Sequence, residues 1–373
     1  MILIDATPLQ SEHRVRGVGT YVYYLTRELA RLANGSCEFF VAAQDRNQLP
    51  PWIAPAHALY RPHRPAQVYW LYNEWAIRHV VRKTRPEVFH ATDFNGLVNF
   101  REVPTVATLH DLTGFHAGVK DAESISQHLS TWRWNVYYHE KLPKASHIIA
   151  VSSYVKQDAM QQLGIDSQNI SVIPHGVDTE TLSPRHKGQG RYAGHPPYLL
   201  YMGSAEPHKN LPRLIHAFRL VANSYHDLRL YLGGRWPEKD RLRIQELIAM
   251  LHLEERVSLL GYVDPEDKPS ALANALAVVF LSLAEGFGLP VLEGMASGVP
   301  VVASNIPVFR EVAENAALLV DPEDVERIAQ GLETVLGSPD LRREYGRRGI
   351  SHTDQFSWKA VAEKTLRVYR HQQ

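Results

Sequence analysis

Short, unbroken runs of apolar residues recur along this chain, and they limit what it can fold into. Each run has five residues or fewer, and amphipathic stretches such as Tyr21–Leu32 and Leu211–Val221 separate the runs. The runs are Ile2–Ile4, Phe39–Ala43, Val88–His90, Val106–Leu109, His147–Val151, Ile170–Ile173, Tyr198–Met202, Leu228–Leu232, Val257–Leu260, Ala277–Leu281, Val299–Ala303 and Ala317–Val320. A strand that is apolar along its whole length is covered on both faces, as in a parallel sheet. The alternation therefore predicts an α/β chain of two doubly wound, Rossmann-like domains.

The length of 373 residues supports two domains, because it exceeds what one hydrophobic core usually organises. Residues 183–197 read SPRHKGQGRYAGHPP, which is polar and aperiodic, as in a linker. We predict a first domain over residues 1–182 and a second over 198–355. The tail, 356–373, has helical spacing and either completes the second domain or crosses back to the first. Open α/β sheets bind ligands beyond the carboxyl ends of their strands, so two such domains would face each other across a binding cleft.

Composition excludes several classes of protein. The chain has 40 Lys and Arg against 40 Asp and Glu, so its charge gives no reason to expect nucleic acid as a partner. Cys37 is the single cysteine and cannot form an internal disulfide or a thiolate metal cluster. No apolar stretch approaches the roughly 20 residues of a membrane span, and the start lacks the charged region of a signal peptide. These features predict a cytoplasmic protein.

The strongest local signal is a glycine-rich turn. Residues 284–293 read AEGFGLPVLE and follow the run that ends at Leu281. Such a turn between strand and helix exposes backbone N–H groups, and Pro290 suits a first helical turn. Glu285 and Glu293 bracket the turn, and carboxylates bind hydroxyl-rich ligands as acceptors. The alternative is a tight corner with two surface acids.

This stretch, extended to residue 304 as EGFGLPVLEGMASGVPVVAS, resembles the retaining glycosyltransferases of family 4, which have the GT-B fold. Other segments resemble the family in the same order along the chain, densely from residue 148 to 322 and more thinly before that. They are RGVGTY at 16–21, ISVIPHGVD at 170–178, YLLYMG at 198–203, KNL at 209–211, LGYV at 260–263, EV at 311–312 and ALLVDP at 317–322. The resemblance implies transfer of a hexose from a nucleoside diphosphate sugar to a hydroxyl of a glycan or lipid-linked acceptor, with retention, in polysaccharide biosynthesis. UDP-glucose and GDP-mannose are the favoured donors.

The resemblance also implies roles for the residues of the motif. Glu293 would hold the ribose hydroxyls, Glu285 a hydroxyl of the donor sugar, and Lys209 the diphosphate as the leaving group departs. The implied donor-binding set is Gly17, Gly19, Gly203, Ser204, His208, Lys209, Tyr262, Val263, Glu285, Gly286, Phe287, Gly288, Leu289 and Glu293. Ser204 stands where many members carry Arg, and His208 where a second basic residue is common. Donor binding therefore has one permanent cation and becomes pH-sensitive if His208 contributes.

His110 follows the apolar run that ends at Leu109 and is itself followed by Asp111. In the resembling family a histidine at this motif contacts the donor sugar and lines the catalytic centre. The implied catalytic residues are thus His110, Lys209 and Glu285. Asp111 either orients His110, meets the acceptor, or is a turn residue at the end of a strand.

Two glycines near the start, Gly17 and Gly19, precede an amphipathic stretch. Glycines at that place allow close approach of the backbone to a diphosphate at a helix N-terminus. A dinucleotide fingerprint fits poorly, because its third glycine is missing and the loop begins about ten residues after the first strand. No phosphate-binding G-x-x-x-x-G-K-[ST] motif occurs either.

The sequence lacks the motifs by which glycosyltransferases of other kinds hold a metal ion. No two aspartates are two residues apart, so the Asp-x-Asp pair that holds Mg²⁺ or Mn²⁺ in many other glycosyltransferases is absent. We predict transfer without a metal or other cofactor, with Lys209, backbone dipoles and His208 in place of the cation. Two rival functions remain: a nucleotide-sugar epimerase of the same architecture, and a non-catalytic sensor of nucleotide sugars, suggested by Ser204 and His208.

The segment 70–85 combines aromatic residues with bases. Its sequence is WLYNEWAIRHVVRKTR. Aromatic side chains beside bases at helical spacing suit an anionic membrane surface or a lipid-diphosphate acceptor. The alternative is an ordinary helix with a solvated basic face and buried aromatic residues, which a single short cluster favours. The membrane interpretation would place the protein at the inner face of the plasma membrane.

Overall fold

A computed structural model describes most of the chain as two compact units. One unit comprises Met1–Gly176 together with Trp358–Gln373, and the other is Val177–Ser357. The described residues are 1–10, 17–33, 35–43, 49–53, 57–60, 69–113 and 132–373. Arg16, the first residue of the glycine motif near the start, lies outside them.

The first unit is built on a parallel sheet whose order is β3-β2-β1-β4-β5-β6-β7 among the described residues. Its strands are β1 Ile2–Asp5, β2 Cys37–Ala43, β3 His57–Tyr60, β4 Val88–Ala91, β5 Thr105–Leu109, β6 His147–Ala150 and β7 Ile170–Val172. Its helices are α1 Gly17–Leu32, α2 Tyr69–Thr84, α3 Ser153–Leu163 and the C-terminal helix, Trp358–Gln372.

The second unit has a parallel sheet in the order β10-β9-β8-β11-β12-β13. Its strands are β8 Tyr198–Met202, β9 Arg229–Gly233, β10 Val257–Gly261, β11 Ala277–Phe280, β12 Val301–Ser304 and β13 Leu318–Val320. Its helices are α4 Leu211–Ala222, α5 Glu238–Met250, α6 Lys268–Ala273, α7 Leu289–Ala296, α8 Pro307–Ala313, α9 Val325–Gly337 and α10 Pro339–Thr353. The order reverses between β8 and β11, which is where open α/β sheets bind ligands.

The predicted fold class is confirmed in both units. Each of the twelve apolar runs forms a parallel strand, within two residues of the predicted bounds. Residues of β1, β4 and β11 are buried throughout, as expected of strands covered on both faces. The strand β3 was not predicted, because HALY is short and carries a polar residue at its start.

The predicted linker at 183–197 differs from what the structure shows. The boundary between the units falls between Gly176 and Val177, and 183–197 belongs to the second unit. The segment is held there because its backbone finds side-chain partners near α6. The Gly188 N–H donates to Asn274 Oδ1 at 2.7 Å, and the Tyr192 N–H donates to Ser270 Oγ at 3.2 Å. The backbone of this polar segment is thus hydrogen-bonded to side chains of the second unit.

The C-terminal helix groups with the first unit. Trp358 stacks on Tyr24 of α1, with ring centroids 5.2 Å apart and planes within 8° of parallel. Gly176 allows the chain to pass close to this helix, because a Cβ at that position would lie 2.5 Å from the Trp358 backbone nitrogen. The end of the chain is therefore part of the first unit's core.

Replacing Trp358 with alanine should destabilise the first unit by about 3–5 kcal/mol, because the side chain is only 4% exposed and its loss leaves a cavity. The matched control is Trp75→Ala, since Trp75 is 57% exposed and its loss should change stability by less than about 1 kcal/mol. Chemical denaturation of the three proteins measures both values. Equal effects at the two positions would contradict the placement of the helix.

Candidate functional site

The glycine-rich turn lies between β11 and α7, as predicted. Gly288 precedes the first residue of α7 with a φ of +99°, in the left-handed region that favours glycine. A Cβ at Gly288 would also collide with the ring of Phe309. The helix then begins at Leu289, with Pro290 in its first turn. Both the conformation and the space thus require glycine here, and the turn leads into a helix N-terminus that suits an anion.

Lys209 and Glu285, predicted independently from separate segments, meet in the structure. Lys209 Nζ donates to Glu285 Oε1 at 2.5 Å, and Ser282 Oγ donates to the same oxygen at 2.7 Å. The two charged side chains are 14% and 13% exposed. The Leu283 N–H donates to the His208 carbonyl at 2.7 Å, which ties the loop after β8 to the loop after β11. The pair is fixed at the reversal point of the sheet.

Glu293 lies on α7 and is paired with a lysine that the sequence did not single out. Lys268 Nζ, at the first residue of α6, donates to Glu293 Oε1. The Glu293 side chain is 9% exposed. No local pattern marks Lys268, because the preceding residues, 264–267, have the sequence of a turn before a helix. They do form that turn, with the Lys268 N–H donating to the Asp264 carbonyl at 3.0 Å.

The end of β8 carries a cluster built around Glu206. Ser204 Oγ donates to Glu206 Oε2 at 2.8 Å, and His208 Nε2 lies 3.8 Å from the same oxygen. Gly203 is needed because a Cβ there would lie 2.5 Å from the Tyr201 hydroxyl. Burial raises the pKa of Tyr201 well above its usual value, and the charges of Glu285 and Glu206 add to the shift. The two positions that depart from the family pattern therefore share one acidic partner.

The remaining predicted donor residues follow the carboxyl ends of neighbouring strands of the same sheet. Tyr262 and Val263 come directly after β10, and Tyr262 is exposed. Val263 packs toward the end of β9, where a Cβ on Gly233 would lie 3.1 Å from Val263 Cγ2. Gly286 and Phe287 belong to the turn after β11. Parallel strands bring these loops to one edge, so the second unit holds its predicted donor residues on a single side.

His110, in the first unit, follows β5 and is held by the backbone. Its Nε2 lies 2.9 Å from the Thr92 carbonyl, which can only accept, so Nε2 carries the hydrogen. The ring also meets the edge of Tyr21, with centroids 5.0 Å apart, and lies 5.5 Å from the ring of His175. In the neutral imidazole Nδ1 is then the acceptor nitrogen.

Behind His110 a buried chain of hydrogen bonds crosses the first unit. His90 Nδ1 lies 2.6 Å from the Tyr369 hydroxyl, and His90 Nε2 lies 2.8 Å from Thr108 Oγ1. Thr108 Oγ1 in turn lies 2.9 Å from the Tyr21 hydroxyl. The chain joins the C-terminal helix, β4, β5 and α1. Sequence reasoning missed it, because its members are up to 279 positions apart.

The two buried histidines near His110 are held neutral. Burial lowers the pKa of His90 to about 3, and the positive charge that His110 can carry adds to this effect. The pKa of His175 is lowered well below its usual value by the same two causes, burial first. Removal from water favours the neutral form of an imidazole. His110 therefore lies near two uncharged imidazoles.

Asp111 and the two glycines near the start lie in local structural elements. Asp111 Oδ1 accepts from the Thr113 N–H at 2.8 Å, which fits the alternative of a turn residue at a strand end. His110 is hydrogen-bonded to the Thr92 carbonyl. Gly17 and Gly19 are the first and third residues of α1 as the structure describes it. Gly17 is exposed and Gly19 is buried.

Helix α2 exposes an aromatic side chain, that of Trp75, to solvent. Trp75 is more than half exposed, like Leu71 one turn before it, and the His79 ring stacks on the Trp75 ring at 5.6 Å. Arg82 and Lys83 continue this exposed face, whereas Arg78 is paired with Glu74 at 2.7 Å. The alternative of a helix with buried aromatic residues is therefore wrong for Trp75. None of the described helices is both long and apolar enough to cross a membrane.

Within the described ranges, no group of three or more His, Cys, Asp or Glu side chains is arranged to hold a metal ion. The charged groups at the edge of the second unit are instead two lysine–carboxylate pairs, Lys209 with Glu285 and Lys268 with Glu293. Such a set offers ammonium donors for phosphate oxygens and carboxylate acceptors for hydroxyls.

Both halves of the chain match known families and relatives. Residues 183–352 match the model for glycosyl transferases group 1, and residues 15–181 match that for glycosyltransferase family 4. The chain is 29% identical to O-antigen chain mannosyltransferase B of Escherichia coli, over 86% of this chain and 80% of that protein. It is 31% identical to the phosphatidyl-myo-inositol mannosyltransferase of Mycobacterium leprae, over 72% of this chain and 67% of that protein.

Solved structures share the fold over nearly the whole chain. Sucrose-phosphate synthase from Thermosynechococcus elongatus superimposes with a TM-score of 0.79 at 22% identity, covering 99% of this chain and 98% of that one. Anabaena HepE, solved in complex with UDP and glucose, gives a TM-score of 0.75 at 20% identity, with 98% of each chain covered. At this identity the likeness concerns the fold alone.

The low pKa of His90 predicts that the first unit loses stability in mild acid. The native state keeps His90 neutral down to about pH 3, whereas the unfolded chain binds a proton near 6.5, so falling pH favours unfolding across that interval. Wild type should have a larger free energy of unfolding than His90→Gln at neutral pH. Below pH 6.5 this difference should decrease by up to about 1.4 kcal/mol per pH unit. Denaturation between about pH 8 and about pH 5 measures this.

The control for this experiment is His371→Gln, which makes the same substitution at an exposed histidine of the same unit. Its pH dependence should follow wild type. A constant difference between wild type and His90→Gln across the pH range would show that His90 is not held neutral.

Proposed function

Because the chain belongs to family 4 of the glycosyltransferases, with both its family 4 and group 1 models matched, we propose that it transfers a hexose from a nucleoside diphosphate sugar to a hydroxyl of a glycan or glycolipid. The observation that carries the proposal is the paired arrangement at the glycine-rich turn, where Glu285 and Glu293 are each held by a lysine. Mannose is the preferred hexose, since the relatives are named mannosyltransferases, and GDP-mannose therefore comes before UDP-glucose as donor.

The chemistry of the second unit supports this donor. An ammonium has three N–H donors, so Lys209 can keep its bond to Glu285 and donate to a phosphate oxygen as well. The N–H groups at the start of α7 add positive potential at the same turn. Glu285 would accept from a hexose hydroxyl and Glu293 from the ribose. We propose that these groups stabilise the departing diphosphate without a metal ion.

The proposed transfer retains configuration by substitution on one face. The bond between the anomeric carbon and the diphosphate oxygen breaks as the acceptor oxygen attacks, and the departing phosphate takes the proton of the acceptor hydroxyl. Retaining hydrolases use a carboxylate nucleophile instead. Glu285 fits that role poorly, because Lys209 and Ser282 both donate to one of its oxygens. For His110 we propose a contact to the hexose, with the ring fixed by the Thr92 carbonyl.

Helix α2 supports a further proposal, a contact with an anionic membrane surface. Leu71, Trp75 and His79 follow one another at four-residue spacing along one exposed face, which ends at Arg82 and Lys83. Exposed apolar and aromatic side chains beside bases are typical of helices that lie in a lipid interface. Such a contact would bring the enzyme to a lipid-linked acceptor.

The donor proposal predicts that Glu285→Gln and Glu293→Gln each lower kcat/KM for the donor about ten- to hundredfold, because each removes a charge-assisted hydrogen bond. The assay follows release of nucleoside diphosphate from GDP-mannose and UDP-glucose with and without acceptor. Glu333→Gln, an exposed acid of the same unit, is the control and should behave as wild type.

The same assay separates the rival functions. Release that depends on acceptor supports the transferase, interconversion of the sugar without acceptor indicates an epimerase, and tight binding without turnover indicates a sensor. If both glutamine variants kept wild-type kcat/KM, the assignment of the donor site to this turn would be wrong.

The membrane proposal predicts binding to phosphatidylglycerol vesicles and not to phosphatidylcholine vesicles. Replacing both Arg82 and Lys83 with alanine should weaken binding about 30-fold, at about 1 kcal/mol per base. Trp75→Ala should weaken it as well, whereas Arg347→Ala, at an exposed base of the second unit, should not. Vesicle sedimentation measures all four proteins. Equal binding to neutral and anionic vesicles would contradict the proposal.

A further inference from the structure

Lys268 has no assigned role, although it meets the acid on which the ribose contact of the proposed function depends. Its Nζ donates to Glu293 Oε1. Among the described residues, Lys268 is the side chain that bonds to this carboxylate. The contact differs from an ordinary surface ion pair, because Glu293 is buried on α7 while Lys268 remains partly open to solvent.

Burial of the acid gives the contact with lysine its importance. A buried polar group is costly unless it is hydrogen-bonded. Lys268 supplies that hydrogen bond to Glu293 and fixes one of its oxygens. The other oxygen, Oε2, then has a set direction for accepting from a ligand hydroxyl.

Lys268 lies beside the loop that follows β10, where the proposed function puts the nucleotide of the donor. It begins α6, five residues after Val263 and the end of the loop that follows β10. Lys209 serves the other acid, Glu285, in the loops after β8 and β11. Each of the two acids is thus paired with its own lysine. Ser204, which stands where the family often has a base, is engaged with Glu206.

We propose that Lys268 is a positioning residue that determines specificity for ribose: by holding Oε1 of Glu293, it presents Oε2 to the ribose hydroxyls of a nucleoside diphosphate. This inference rests on the proposed function, since it requires a nucleotide at the turn. Its consequence is discrimination between ribonucleotides and deoxyribonucleotides, which a lysine needed only for folding would not affect.

The test is the ratio of dissociation constants for 2′-deoxy and ribose forms of GDP and of UDP, measured by calorimetry. Wild type should favour the ribose form about tenfold. Lys268→Met should bring the ratio near one, Lys268→Arg should restore part of it, and Glu293→Gln should remove it. The double variant Lys268→Met/Glu293→Gln should show no further loss, because the two residues act as one unit.

The control is Arg191→Met, which removes the exposed base paired with Asp267, the residue next to Lys268. It should keep the wild-type ratio. If Lys268→Met binds with the wild-type ratio while Glu293→Gln loses it, the inference about Lys268 is wrong and the proposed donor site stands. If Glu293→Gln also keeps the wild-type ratio, or wild type does not discriminate, the ribose contact fails and the inference fails with it.

Discussion

The ion pair between Lys209 and Glu285 is the contact on which the arrangement of the second unit's site depends. The two residues belong to loops that follow β8 and β11, the strands at which the sheet order reverses. A mostly buried ion pair, with Ser282 also donating to Glu285, holds both loops in one geometry. Because α7 starts directly after the second of these loops, the same contact also fixes where its N-terminal N–H groups lie. The charged pair of the site and the reversal of the strand order therefore lie at the same place in the second unit.

For the proposed nucleotide-sugar donor, local charges at this point would let a chain of zero net charge bind a dianionic ligand. The positive potential is local: two lysines, the amides of one turn and the start of one helix. Each lysine is balanced by an acid, so these two pairs add no net charge. A ligand that brings both phosphate and hydroxyl groups satisfies the lysines and the acids together, whereas inorganic phosphate satisfies only the former. For the proposed function, selectivity for a sugar nucleotide would follow from this balance.

The sequence predicts the strands well because burial on both faces leaves a local signature, an unbroken apolar run. It also predicts the turn with Gly288 and Pro290, since turn chemistry requires glycine and proline at fixed spacing, whereas Glu285 and Glu293 are assigned through the family resemblance. It does not predict Lys268, whose partner lies 25 positions away, or the contact of His90 with Tyr369, 279 positions away. Such pairs have no local pattern. The linker predicted at 183–197 differs from the structure for another reason. A polar, aperiodic sequence is the same whether its backbone faces water or forms hydrogen bonds to a neighbouring helix.

The first unit holds the ring of His110, a candidate catalytic residue, in one orientation. His110 is fixed by a carbonyl on one side and by aromatic contact with Tyr21 on another. The Tyr21 hydroxyl continues through Thr108 and His90 to Tyr369, so the orientation of His110 is supported by the last helix of the chain. A charged histidine inside this chain of hydrogen bonds would repel a protonated His110, and burial prevents that by keeping His90 neutral. The C-terminal helix is thus a structural support for a candidate catalytic residue from which the whole second unit separates it in sequence.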